Sequence, residues 1–215
     1  MEFDLAELTC LLLFAIALIK SLDTKTRRIL FSNQVVQRSV LAISLMLVGF
    51  WSLKAGLYPG LDIHVLALTG VTLTLGPRLS IIAAALSHSL QLGLGLVPIE
   101  QIGSYALLTS LAPILFSYAL FLLCYQYVTR HLFVYIFVNS FLGAGLTAIF
   151  HIVLMTGYHY FSGHYDWHTL FDNYTFLASL IWFPEATING MAMTVLIIYR
   201  PHWVRTFYDN EYLAR

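Results

Sequence analysis

The chain has 215 residues, of which 59% are hydrophobic and only 10% charged, and its formal net charge is zero. A water-soluble domain carries about 25% charged residues, so this composition excludes a soluble globule and makes the bilayer the expected solvent. There is no basic stripe and no dense Lys/Arg cluster beyond one short loop, which excludes a nucleic-acid-binding surface.

Apolar stretches run over 5–19, 39–57, 63–75, 79–97, 104–128, 132–158 and 174–199. A transmembrane helix needs roughly 17–25 such residues, so the expected fold is an all-α integral membrane protein. It forms a single transmembrane domain of about seven helices, with a tail at 200–215. The acidic start, Met1-Glu2-Phe3-Asp4, lacks the basic region of a signal peptide, and none is expected. Cys10 and Cys124 fall inside apolar stretches and read as small core residues.

The first loop, 20–38, contains Lys20, Lys25, Arg27, Arg28 and Arg38, and Ser21 or Asp23 is placed to cap a short helix there. Two readings of this helix stand: one lying on the inner leaflet, or a docking surface for a cytoplasmic partner. Asp62 and His64 open the third stretch, and Gly76-Pro77-Arg78 separates it from the fourth as a tight turn. Arg78, Arg130 and the tail residues Arg200, Arg205 and Arg215 fall in alternate connections with the first loop. The connections around Pro59, around Glu100 and over 159–173 hold no Lys or Arg, and Lys54 is the exception on that side. By the positive-inside rule the N-terminus is outside and the C-terminus cytoplasmic.

Ionisable groups in hydrocarbon cost roughly 2.5–3.5 kcal/mol each, so every one invites a functional hypothesis. Glu185 follows Pro184 about eleven residues into the last stretch, with Asn189 one turn later on the same face. It is either a gate carboxylate on the substrate path or a buried structural carboxyl bonded to a neighbouring helix. His88 and His151 are intramembrane and read as packed hydrogen-bonding residues or as ligands, and Asn139 as a contact between helices. The sixth loop carries His159, His164 and His168 among Tyr158, Tyr160, Phe161, Tyr165 and Trp167. Such a loop either gathers a transition-metal ion or forms an aromatic belt at the headgroups. No nucleophile–base pair has the spacing of an active site, so no enzyme is expected. There is no Walker A motif, so ATP-driven transport requires a separate ATPase subunit.

Asp62-Ile63-His64-Val65-Leu66 through Leu75-Gly76-Pro77, and Pro184-Glu185 through Asn189-Gly190 followed by Tyr199-Arg200-Pro201, resemble the CbiM/NikM family. These are the substrate-specific membrane components of energy-coupling-factor cobalt and nickel transporters. The resemblance implies seven helices in the plasma (inner) membrane of a prokaryote, a transmembrane coupling subunit and cytoplasmic ATPase subunits as partners. It also implies a divalent transition metal as substrate: cobalt or nickel first, with copper or zinc as alternatives. In the family the ligands are the free N-terminus, a histidine at position 2 and the histidine that matches His64. Position 2 here is Glu2. The remaining donors are then to be sought among Glu2, Asp4, Asp62, His159, His164 and His168. The alternative is a family-like protein that has lost the metal site and acts as an assembly or interaction factor.

Overall fold

A computed structural model describes residues 5–56 and 58–212. The described chain is helical throughout, about 80% of it, with no strand. The first helices are α1 (Leu5–Ser21), α2 (Thr24–Ser32) and α3 (Gln34–Ser52). Of the two expected caps, Asp23 is the one used, its side chain accepting from the Thr26 N–H at 2.8 Å. Asn33 then caps α3 by accepting from the Val35 and Val36 N–H groups. Each cap satisfies amide groups that a helix start leaves without partners.

Beyond α3 the chain makes a loop closed by the antiparallel bridge between Ala55 and Ile63. The short helix α4 (Leu68–Leu75) turns at Gly76 into α5 (Pro77–Gly93), with Pro77 in the first turn of the new helix. Two long helices follow, α6 (Ile99–Tyr127) and α7 (Leu132–Phe161). Each is interrupted by a wider π-helical stretch, Tyr105–Leu111 in α6 and Tyr135–Leu142 in α7. Residues 167–179 form α8, and α9 (Trp182–Tyr199) leads into the tail.

Two stretches depart from the sequence expectation. Residues 63–67, expected in a helix over 63–75, are not helical, and only the later part of that stretch winds into α4. The expected helix over 174–199 is broken at Leu180 and Ile181, just before Pro184. Proline clashes with the preceding turn and removes a donor, so the helix restarts there with Pro184 in its first turn, where a missing N–H costs nothing.

The packing is that of a lipid-solvated bundle. Leu12, Leu45, Leu122, Val153, Val195 and Ile198 are exposed, whereas Ser44, Ser87, Thr72, Ser110 and Ser140 are buried. Small residues let backbones approach: Ser44 donates to the Ala83 carbonyl and Ser87 to the Ser44 carbonyl, joining α3 to α5. Among the described residues three helices are long and apolar enough to cross a bilayer: α3, α6 and α7. The pair α1 and α2, bent by 71°, makes a fourth if it counts as one span. The bundle has a basic face, where Arg78 of α5 meets Asp23 at 2.5 Å, and an aromatic face, where Tyr165 donates to the Pro59 carbonyl.

Candidate metal site

The non-helical segment 61–67 runs through the interior of the bundle, with Leu61, His64, Leu66 and Ala67 buried. Non-helical backbone survives at such depth only where protein satisfies its polar groups. Glu185, 1% exposed, does this: its carboxylate accepts the Leu66 N–H on one oxygen and the Ala67 N–H on the other, both at 2.7 Å. Ala67 takes a left-handed conformation, φ 56°. That turn aims two successive N–H groups at one anion, a backbone nest at the start of α4. The Asn189 amide donates to Glu185 at 2.9 Å, and its oxygen accepts the Gly70 N–H at 2.7 Å. A Cβ on Gly70 would lie 2.9 Å from that oxygen, so the approach requires glycine. Trp51 Nε1–H completes the clamp by donating to the Leu66 carbonyl.

Glu185 therefore sits in the first turn of α9, not eleven residues into a continuous helix, and both its oxygens are engaged. What it does chemically is hold the segment that carries His64.

His64 is 8% exposed, and among the described residues neither of its ring nitrogens has a hydrogen-bond partner. Its ring centroid lies 6.3 Å from that of His151 and 6.4 Å from that of Trp51. His151 Nδ1 faces the Leu108 carbonyl at 3.1 Å. A carbonyl only accepts, so the proton is on Nδ1 and the lone pair is on Nε2. A backbone carbonyl holding one ring N–H is the usual support of a metal-binding imidazole. His88 stacks on Trp51 at 4.9 Å and bonds Ser110. Leu108 and Ser110, the partners of these two histidines, both lie in the π-helical stretch of α6, a distortion often found at functional sites.

The remaining expected donors are distributed differently. Asp62 binds Lys54 and the Tyr105 hydroxyl, both at 2.6 Å. His168 is exposed and lies 2.9 Å from Asp172, apart from His164, because the helix begins only at Trp167. His159 is buried at the end of α7, and His164 lies against it. Asn139 is buried against the Cys124 thiol and finds no nitrogen or oxygen partner among the described residues. Cys10 and Cys124 are both free and buried. Glu2 and Asp4 lie outside the described residues. Among the described residues no group of three or more His, Cys, Asp or Glu converges tightly enough to hold a metal ion by itself.

Sequence reasoning missed Glu7, a buried carboxylate in α1 that accepts the Ser104 N–H and the Tyr158 O–H, both at 2.8 Å. Its position inside an apolar stretch was the available signal.

Residues 5–203 match the family described as cobalt uptake substrate-specific transmembrane region, CbiM. No curated protein and no solved structure matches the chain. With the match covering nearly the whole chain, this multi-pass membrane protein belongs to the CbiM family of cobalt-uptake substrate-specific transmembrane components.

Proposed function

We propose that the chain is the substrate-binding component of an energy-coupling-factor transporter for cobalt, with His64 and His151 as metal ligands. The observation that carries this is the buried imidazole of His64, without a hydrogen-bond partner among the described residues, beside a second imidazole whose lone pair is fixed by the Leu108 carbonyl. Two imidazoles sharing an ion at about 2.0–2.1 Å per bond place their ring centroids at most about 6.4 Å apart. The 6.3 Å between His64 and His151 lies at that limit. A buried imidazole without a partner is unfavourable, and an ion supplies what it lacks. Further donors come from the N-terminal residues, Glu2 and Asp4 among them. The chain itself is non-enzymatic. A transmembrane coupling subunit and cytoplasmic ATPase subunits supply the energy, because the sequence has no nucleotide-binding loop.

The same reading gives seven crossings, with the N-terminus outside and the C-terminus in the cytoplasm of a prokaryote. The alternation of basic connections supports it. So does the third crossing: six non-helical residues, 61–66, at up to about 3.3 Å each and one eight-residue helix at about 1.5 Å each together reach up to about 32 Å. That is enough for a hydrocarbon core of about 30 Å. The aromatic face is then the outer one.

Titration of purified protein with Co2+ tests the metal assignment. High-affinity binding lost in His64→Ala and in His151→Ala is the expected result. Retention of that binding in both variants removes His64 and His151 from the site, and absence of binding in the wild type returns the chain to an assembly role.

A further inference from the structure

The aromatic face holds a cavity of about 330 Å³ whose lining includes Glu7, Glu100, Tyr158, His159 and His164. None of the described residues lining it is a lysine or arginine, so its charge complements a cation. His159 is 7% exposed, and its Nε2 faces the Gly60 carbonyl at 3.2 Å. The proton must therefore be on Nε2, which leaves the lone pair on Nδ1. Among the described residues that Nδ1 is buried without a hydrogen-bond partner.

The turn that ends α7 brings a second imidazole to it. Gly163, at φ 69°, donates to the Tyr160 carbonyl, and His164 N–H donates to the His159 carbonyl. These two bonds are the Schellman closure of a helix, which sets the side chain of the residue after the glycine against the side chain five positions earlier. That contact is ordinarily apolar. Here it joins His164 to His159, with ring centroids 5.5 Å apart. The separation lies inside the limit of about 6.4 Å for two imidazoles sharing one ion at about 2.0–2.1 Å per bond.

We propose that His159 and His164 form a second metal site, separate from His64, that binds a hydrated divalent transition-metal ion in this cavity. The two imidazoles supply the protein ligands and water fills the other positions. The Glu7 carboxylate, already oriented by Ser104 and Tyr158, supplies negative charge and accepts from the bound water. Two protein ligands hold an ion more weakly than a closed site, which suits a place where ions arrive and leave. The site stands on its own geometry and on no property of His64.

Calorimetric titration of the full-length protein in nanodiscs with CoCl2 tests this, using wild type, His164→Ala, His159→Gln and His64→Ala. His164 is exposed, so its truncation leaves the fold intact, and His159→Gln keeps a donor for the Gly60 carbonyl. Wild type should show two classes of site, the weaker one reduced by about tenfold or more in His164→Ala and in His159→Gln and retained in His64→Ala. A His164→Ala isotherm superimposable on wild type overturns the proposal. If the wild type shows a single class, loss in His64→Ala with no change in His164→Ala removes this site and leaves the His64 reading standing. A single class with the opposite response supports this site and removes the His64 reading.

Discussion

The carboxylate of Glu185 lies 2.7 Å from the backbone nitrogen of Ala67, a residue 118 positions earlier in the chain and three beyond His64. This contact, repeated at Leu66, decides that the segment before α4 is not helical, and so fixes where the His64 ring sits. Removing it leaves two buried N–H groups unpartnered, at about 1–3 kcal/mol each. Glu185→Ala should therefore lower the free energy of unfolding in mixed micelles by several kcal/mol and abolish the Co2+ binding proposed for His64. Glu185→Gln keeps one acceptor oxygen and should fall between. Wild-type stability in Glu185→Ala would show that the nest does not need its anion.

Ala67 tests the left-handed turn itself. An L-residue in this conformation costs roughly 1–2 kcal/mol, and glycine does not pay it. Thermal unfolding of Ala67→Gly should be unchanged or slightly raised. Ala67→Val, β-branched at φ 56°, should unfold well below wild type. Equal midpoints for the two variants would mean the turn is not left-handed.

The C-terminal end of α4 is held by the tail. Thr206 donates its N–H and its hydroxyl to the Leu73 carbonyl, and Arg205 N–H donates to the Thr74 carbonyl. Thr206→Val removes the hydroxyl and takes the acceptor from the buried Tyr135 O–H, so it should destabilise by about 1–3 kcal/mol. Trypsin should cut after Arg205 faster in this variant than in wild type, a difference readable by mass spectrometry.

On the basic face, the Thr26 hydroxyl and amide, and then the Arg78 guanidinium, hold the Asp23 carboxyl below the usual carboxylate range. A depressed pKa contributes stability above the unfolded value of about 3.9 and loses it as pH falls through the folded value. The unfolding midpoints of wild type and Asp23→Asn should differ by a constant amount above about pH 5 and converge below about pH 4. The difference should be small and should shrink with salt, because the pair is exposed. A gap that widens on acidification contradicts the assignment.

Features set by local chemistry were legible in the sequence. The Gly76-Pro77 turn, the Asp23 cap and the pairing of Glu185 with Asn189 one turn later all depend on neighbours within a few positions. The unwinding of 63–67 was not legible, because Ile63 to Leu75 is an apolar run that reads as helix, and the group that unwinds it lies 119 positions away from Leu66. Pro184 did signal the break before α9, but the continuous hydropathy on both sides concealed it. In the sixth loop, His164 and His168 are four positions apart, the spacing of one helix face. The turn at Gly163 instead folds His164 back onto His159, a pairing that follows from a helix end rather than a helix face.

The clamp on α4 has a further consequence for length. Glu185 and Asn189 grip its start, and Arg205 and Thr206 grip its end. All four belong to one continuous stretch, so the number of residues between the two grips is a gauge against which α4 is cut. One residue inserted in α9 after Asn189 turns everything beyond it by about 100° and advances it by about 1.5 Å. Both grips cannot then close on the same eight-residue helix. Chains of this design should tolerate substitution along the lipid-facing side of α9 far more readily than any change in its residue count.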